Sequence, residues 1–445
     1  MTQSEVREAL EQYEVTPSKK LGQNFLCDQN VAQWIVDQLE IQPEDTVVEV
    51  GPGTGALTEF VVPVAKRVIL IEFDARLAER LQTIFAETEH VTVHHIDAVR
   101  FDVRSLFPVG PIKFLGNLPY SCGGEILKNF LSRPSLVTRA VVMLQKEFID
   151  RIVAKPRTKA YGVLSLRMQA EWDSVPVKTV PPEAFFPRPL IDSTVMVVEP
   201  TKQEWGAYDH KLYDELVRRG FAQRRKMLRK AMPTHLDWSA VCEQVGIAET
   251  CRAEELDLAT WIELTRLYDD HPLKDVAQDP EELFDVVDAE DQVIRTEKRA
   301  VVHAEDLLHR AVHALVFNKR NEVFLQKRSL LKDKNAGLWD SSAAGHLDAG
   351  EDYTSAVNRE LQEELGITDA PLKYVGKLAP SEKTGWEHIG LYLAAHMGGV
   401  RYPCSEVEVG LWFSPELIDE WVAARPQDFA SGFLECWQTF RTEVA

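Results

Sequence analysis

Three glutamates at positions 360, 363 and 364 fall at i, i+3 and i+4 of one segment, RELQEELG. On a helix that spacing sets all three carboxylates on one face. Acids so close repel one another unless a cation sits between them. A hard divalent ion that keeps waters and phosphate oxygens in its shell, Mg²⁺ or Mn²⁺, suits such a set. It would polarise a phosphorus centre and activate water, which is diphosphate chemistry. Glu351 enters from the preceding loop, so the expected ligands are Glu351, Glu360, Glu363 and Glu364, with Glu363 and Glu364 also counted as catalytic. Arg359 is placed to orient a glutamate by ion pairing.

A second constellation lies far upstream. Val50-Gly51-Pro52-Gly53-Thr54-Gly55 separates an apolar run from a helical one. Glycines there let the backbone approach a ligand beside a helix N-terminus. The next apolar run ends in Glu72, where an acid can accept both hydroxyls of a ribose. The third ends in Asp97, where an acid can meet an adenine amino group. After the fourth comes Asn117-Leu118-Pro119-Tyr120. Methylating an exocyclic amine requires its lone pair to face the methyl donor. An Asn oxygen and a backbone carbonyl can accept the amine's two hydrogens and turn it so, and Tyr120 can stack on a flipped-out base. Proline fixes the loop.

These residues need elements to hold them. TVVEV, RVILIEFD, VTVHHIDAVRFD, PIKFLGNLPY and AVVMLQKEF read as strands, with helices such as ARLAERLQTIF between them. Strands alternating with helices imply βαβ units and a doubly wound parallel sheet. From about 205 to 268 the pattern turns helical: KLYDELVRRGFAQRRKMLRKAM, LDWSAVCEQVGI and DLATWIELTRLYDD. Residues 269–282, polar, acidic and with two prolines, suit a linker. Beyond it, LFDVVDAEDQVI reads as a hairpin, HRAVHALVFNKRNEVFLQKRS as two strands, and PLKYVGKLA, HIGLYLAAHMG and VGLWF as further strands before terminal helices. The expected fold is thus α/β, a Rossmann-like unit with a small helical appendage, followed by an α+β domain. The boundaries are 1–204, 205–268, a 269–282 linker and 283–445.

The glycine–acid–acid series resembles class I S-adenosylmethionine-dependent methyltransferases. Lys20-Leu21-Gly22-Gln23-Asn24-Phe25-Leu26 before the first strand, the NLPY loop, and Phe185-Phe186-Pro187-Arg188-Pro189 with Asp192-Ser193 narrow the likeness. Over about residues 15–265 the chain resembles the rRNA adenine N6-dimethyltransferases of the KsgA/RsmA type. That resemblance implies a cofactor, S-adenosylmethionine, held by Asn24, Leu26, Gly51, Gly53, Glu72, Asp97 and Asn117. It implies a target adenine sandwiched between Tyr120 and Phe185. It implies as partner the small ribosomal subunit, with two adjacent adenines in a hairpin loop near the 3′ end of 16S rRNA dimethylated, a step in subunit biogenesis. The erythromycin-resistance methylases, which act on 23S rRNA, share most of these motifs; the NLPY wording and the long helical tail favour the small-subunit type. A ribosome-assembly factor that keeps the pocket with little catalysis is the other alternative. Ser121-Cys122-Gly123-Gly124 departs from the family pattern and implies a looser backbone after NLPY.

Residues 345–367, GHLDAGEDYTSAVNRELQEELGI, resemble a Nudix box. The resemblance implies hydrolysis of a nucleoside-diphosphate-type small molecule. HRAVHALVFN and the segment through Gly345-His346 also resemble the Nudix branch that includes type 1 isopentenyl diphosphate isomerase. That isomerase needs a cysteine just before its histidine-containing turn, and Ser341 to His346 contain no thiol. Hydrolysis is therefore favoured over isomerisation. Glu387, Glu406 and Glu408 offer possible bases outside the box.

Bulk properties agree with two enzymes in one chain. At 445 residues the chain is too long for one ordinary core. No apolar run is long enough for a membrane helix, and the acidic N-terminus is neither a secretory signal nor a transit peptide. Six scattered cysteines without a CxxC pair fit a reducing cytoplasm. The net charge of −20 argues against nucleic acid only superficially. Residues 1–270 hold 32 basic and 39 acidic side chains, against 18 and 31 in 271–445. Arg218 to Lys230 carries seven basic residues and no acid, a local patch suited to rRNA phosphates.

Overall fold

Strands that read as unbroken apolar runs must be covered on both faces, and residues 46–145 of the computed structural model show how. The structure describes residues 1–17, 22–270 and 279–444. Lys20 and Leu21, and residues 271–278 of the expected linker, lie outside the described residues. The chain divides into two compact units, one of Met1–Gly206 and His210–Tyr268, the other of Asp269–Ala445 with Ala207–Asp209.

In the first unit seven strands form one sheet: β1 (Thr46–Val50), β2 (Arg67–Glu72), β3 (Val91–His95), β4 (Ile112–Asn117), β5 (Val137–Gln145), β6 (Trp172–Val180) and β7 (Ser193–Pro200). Their order is 3-2-1-4-5-7-6. β1 to β5 are parallel, and β7 runs antiparallel between β5 and β6. Successive residues point to opposite faces. Val48, Phe114 and Val142 therefore enter one core layer, while Val47, Leu115 and Val141 enter the other. Strand order reverses between β1 and β4, and such a switch point opens a crevice at the carboxyl ends of the strands. Helices α1 (Ala75–Ile84) and α2 (Gly123–Leu131) follow β2 and β4.

The helical appendage differs from its expected form. KLYDELVRRGFAQRRKMLRKAM is not one helix: α3 (His210–Ala222) ends at Ala222, and only a 3₁₀ turn, Leu228–Lys230, follows. Two interactions pull the chain off the helical path. Leu228 is buried and its N–H donates to the Cys251 carbonyl at 2.8 Å. Arg224 reaches Glu254 at 2.5 Å and the Lys159 and Thr158 carbonyls at 2.8 Å each. α4 (Trp238–Val245) and α5 (Leu258–Tyr268) complete the group. A Cβ on Gly220 would come within 2.6 Å of the Trp261 ring, so a glycine there lets α3 and α5 pack closely.

The second unit opens with the antiparallel hairpin β8 (Leu283–Val287) and β9 (Val293–Lys298), then α6 (Arg299–Ala304). A mixed sheet holds β10 (His309–Phe317), β11 (Val323–Arg328), β12 (Trp339–Asp340), β13 (Ala343–His346), β14 (Leu372–Leu378), β15 (Glu387–Ala395) and β16 (Val407–Phe413). β10 pairs in parallel with β15 and antiparallel with β11 and β13. α7 (Tyr353–Leu365) crosses the sheet, and α8 (Pro415–Ala424) and α9 (Ser431–Glu443) close the chain. Val357, Leu361 and Leu365 of α7 bury fully against Val312, Ala314 and Val316. Each such side chain contributes about 1.5–3 kcal/mol, which fixes the rotation of the helix and hence the direction of its glutamates.

Candidate functional site

In the first unit, Asn24, Leu26, Gly51, Gly53, Glu72, Asn117 and Tyr120 line one cleft at the carboxyl ends of β1, β2 and β4. Gly51 and Gly53 both adopt left-handed backbone, with φ of 68° and 57°. Any other residue is disfavoured there. The Gly53 N–H donates to Glu72 Oε2 at 2.9 Å, and the Asp74 N–H to Glu72 Oε1 at 2.8 Å. Burial raises the Glu72 carboxyl above its usual range against those hydrogen bonds. Each oxygen keeps a lone pair, so Glu72 can still accept from two hydroxyls.

Asn117 stands at the end of β4, and its Nδ2 donates to the Asn24 carbonyl at 3.2 Å. With its amide nitrogen so used, the side-chain oxygen is the end left for a ligand. The Pro119 carbonyl accepts from Gly123 N–H at 2.8 Å, which leaves the Leu118 carbonyl as the loop's second acceptor. The Tyr120 hydroxyl lies 2.6 Å from Ser193 Oγ, which fixes its ring. Ser121–Gly124 is not loose. α2 begins at Gly123, where a Cβ would lie 2.3 Å from Leu144, and at Gly124 one would meet Phe148 at 3.0 Å. The two glycines serve close packing of α2.

Two expected residues stand apart from this group. Asp97 does not line the cleft; its Oδ1 accepts from the Val99 N–H at 3.0 Å. Phe185 pairs with Leu26 in a two-residue ladder, and its ring is only 2% exposed, in the core rather than beside Tyr120. Glu49 is a residue that motif reading missed. It lines the cleft, is fully buried, and accepts from Thr58 Oγ1 at 2.7 Å. Burial, with Glu72 nearby, pushes its carboxyl up to about 8. Its signal was in the sequence: one acid in the otherwise apolar end of TVVEV.

In the second unit, Asp352 caps α7, accepting from the Thr354 and Ser355 N–H groups at 2.9 and 3.1 Å. Glu360, Glu363 and Glu364 line a cavity of about 1400 Å³. Glu360 and Glu364 are buried, and burial together with nearby carboxylates raises both. Glu364 Oε2 accepts from Gln326 Nε2 at 3.0 Å and from the Ala344 N–H at 3.1 Å. Arg359 gathers the rest: it reaches Glu351 at 2.9 Å, Glu360 at 2.8 Å, Glu363 at 3.2 Å and the His346 carbonyl at 2.8 Å. Glu351 is thus joined to the site through Arg359 and does not itself line the cavity.

The outside candidates separate as well. Glu406 pairs with Lys332 and Glu408 with Lys327. Glu387 and Glu406 both line the cavity, Glu387 among histidines. Burial works against its carboxylate, but the His309 and His346 imidazoles outweigh that and hold it well below the usual range. Burial conversely lowers His346 to about 4 and His303 to about 3, so both rings are neutral near pH 7.

In the basic stretch, Arg218, Arg219 and Arg224 are spent on Asp214, Glu215 and Glu254. Arg225, Lys226, Arg229 and Lys230 are exposed, with no carboxylate in ion-pair range among the described residues. No described helix is long and apolar enough to cross a membrane.

The family profile for ribosomal RNA adenine dimethylase matches residues 16–270, and that for the NUDIX domain matches residues 307–431. Over 259 residues the chain is 35% identical to a ribosomal RNA small subunit methyltransferase A of Francisella tularensis, covering 57% of this chain and 98% of that one. A protein of the same name from Chromobacterium violaceum is 39% identical over 249 residues, 56% of this chain and 94% of its own. A solved dimethyladenosine transferase from Plasmodium falciparum aligns with a TM-score of 0.47 and 24% identity, over 54% of this chain and 95% of that one.

Proposed function

The chain belongs to the ribosomal RNA adenine dimethylase family and carries a NUDIX domain, and from that premise we propose that it dimethylates N6 of two adjacent adenines in small-subunit 16S rRNA. The observation that carries this is the orientation of Asn117. Its amide nitrogen is committed to the Asn24 carbonyl, so its oxygen, with the Leu118 carbonyl, accepts the two N6 hydrogens. The nitrogen lone pair then faces the cleft that Glu49, Glu72 and the glycine turn form. The small-subunit target is supported by the names of the relatives above. A 23S target is the rival reading.

The cleft fits S-adenosylmethionine. Two buried acids, Glu49 and Glu72, suit a ligand with a ribose and a cationic group, whose charge would drive off the Glu49 proton on binding, and Gly51 and Gly53 admit it closely. When bound, the cofactor supplies a methyl group on a cationic sulfur. The protein's part is positioning: Asn117 and Leu118 fix the amine, Tyr120 stacks on the base, and the exposed Arg225, Lys226, Arg229 and Lys230 contact phosphates. Asp97, two residues beyond β3, is assigned to the adenine end of the cofactor. Phe185 serves as the second face of the base sandwich only if its ring leaves the core.

The NUDIX domain is proposed to hydrolyse a nucleoside-diphosphate-type substrate with Mg²⁺ or Mn²⁺. Its oxygen-only set of Glu360, Glu363 and Glu364 fits a hard divalent ion. Bound there, such an ion would polarise phosphorus and activate water. Arg359 holds the carboxylates in place and binds Glu351.

The test uses radiolabelled S-adenosylmethionine with undermethylated small ribosomal subunits, followed by mapping of modified nucleotides. Dimethyladenosine at two adjacent loop positions is expected. Label in large-subunit rRNA instead would favour the 23S reading. Cofactor binding without transfer to either subunit would favour an assembly factor. For the second domain, Mg²⁺-dependent cleavage is scanned over nucleoside diphosphate derivatives, with Glu360→Gln as the inactive control.

A further inference from the structure

The cavity beside the α7 carboxylates has a second wall that the diphosphate chemistry leaves unused. On β10, Val312, Ala314 and Val316 pack under α7. His313 alternates with them and so points to the opposite face of the sheet. There it meets the start of α9: a Cβ on Gly432 would lie 3.6 Å from both Cε1 and Nε2 of His313. His313, Ala430, Ser431 and Gly432 line the same cavity as Glu360, Glu363 and Glu364.

A helix that starts at a solvent-filled cavity beside a satisfied core histidine is the bland alternative. Three observations weigh against it. First, His313 is only 5% exposed and is held from behind. Its Nδ1 lies 2.8 Å from Ser341 Oγ and 3.8 Å from Asp340 Oδ1, and both of those residues are buried. Nε2, at the far side of the ring, has no partner among the described residues and is open to the cavity. An imidazole with a carboxylate behind it can hold a proton on each nitrogen, and Nε2 then donates to an anion. Second, α9 has no side-chain cap, since its N-cap is Ala430. The N–H groups of Ser431, Gly432 and Phe433 have no acceptor among the described residues. Orphan donors at the positive end of a 13-residue helix attract an anion. Third, Gly432 leaves open the gap between those donors and the imidazole, which any side chain at 432 would enter. Asp340 and Glu387, acids of this side, are engaged by Arg328 and His346, each at 3.1 Å.

We propose that His313 and the first turn of α9 form an oxyanion subsite. It takes a second anionic group, a phosphate monoester or a carboxylate, carried by the organic part of the NUDIX substrate. The α7 side handles the diphosphate, and the α9 side reads the other end of the molecule. Diphosphates with a charged organic part are thereby selected over those with a neutral one. That selection rests on the hydrolysis reading above, whereas anion binding at α9 does not.

The test is ligand binding by the full chain, in two arms. In the first, inorganic phosphate is titrated by calorimetry with chelator present, so that no divalent ion carries it to the α7 carboxylates. Wild type is expected to bind it saturably. Gly432→Asp fills the gap with a carboxylate and should lose that binding; an acid is favourable in a first helical turn, so the variant should fold. His313→Gln should weaken it. In the second arm, affinities are compared within matched pairs: NADP⁺ against NAD⁺ for a phosphate monoester, UDP-glucuronate against UDP-glucose for a carboxylate. Wild type should bind the charged member of one pair roughly 10-fold more tightly or better, and Gly432→Asp should erase that preference. The pair that shows it identifies the anion. The proposal is overturned if wild type binds no phosphate, if Gly432→Asp binds it unchanged, or if neither charged member binds better than its partner. Phosphate binding and the preference intact, with no Mg²⁺-dependent cleavage of any of the four, would support the subsite and count against the hydrolysis reading.

Discussion

Gly345 and Glu360 share one space: a Cβ on Gly345 would lie 2.0 Å from Oε1 of Glu360. The glycine is there because β13 runs against the carboxylate face of α7, and no side chain fits between them. Gly345→Ala should therefore push Glu360 from its place. NUDIX cleavage is expected to fall roughly 100-fold or more, with methyl transfer by the same preparation within about twofold, since the two activities sit in separate compact units. Equal loss of both activities would point to general misfolding instead.

Asn117→Ala removes the oxygen that receives the N6 hydrogen but no cofactor contact through charge. Methyl transfer should drop by roughly 10²–10³-fold, while S-adenosylmethionine affinity by calorimetry changes only a few-fold. Transfer at the wild-type rate would take Asn117 out of the proposed role.

Glu49 gives the first unit a pH dependence of known sign. Its folded carboxyl titrates at about 8, against an ordinary value of 4.5, because burial favours the protonated form. The folded state thus holds a proton the unfolded chain has lost. That stability is complete below about pH 4.5 and is lost as pH rises through about 8. Without cofactor, the melting temperature of this unit should fall across that window. Glu49→Gln, which is neutral throughout, should flatten the fall; an unchanged slope would show that another group causes it.

Arg225, Lys226, Arg229 and Lys230 are the exposed cations of the basic stretch that no carboxylate neutralises among the described residues. Replacing Arg225 and Arg229 by Ala should weaken rRNA binding and reduce the magnitude of the log K against log salt slope by roughly 1–2. Arg218→Ala, whose cation is paired with Asp214 at 3.0 Å, should change the slope less. Equal effects would mean that the ion pairs open on RNA.

Arg359→Ala leaves Glu351, Glu360 and Glu363 without their shared cation. The NUDIX unit should lose about 2 kcal/mol of stability, and millimolar Mg²⁺ should restore part of it by screening the same carboxylates. Urea unfolding with and without Mg²⁺ reads both effects. No recovery with Mg²⁺ would argue that the ion does not bind this face.

What the sequence determined by itself was local. Glu360, Glu363 and Glu364 share one helix, so spacing alone set them on one face. Gly51, Gly53, Glu72 and Asn117 end or follow strands of a βαβ series, and that topology alone brings strand ends to one crevice. What tertiary structure decided depends on contacts between segments distant in the chain. Leu228 finds its place against Cys251, and so the basic segment breaks instead of continuing α3. The pairing of Leu26 with Phe185 carries that ring into the core. Arg359 draws Glu351 to itself and away from the cavity wall. His303, His309, His346 and Glu387 span 85 positions of the numbering and have no common period. Only the register of β10 against β13 and β15 sets three of them side by side, and only the packing of α6 adds the fourth. Side chains on one element inherit their geometry from its repeat, whereas those on different elements meet only where burial of the surrounding apolar faces brings the elements together.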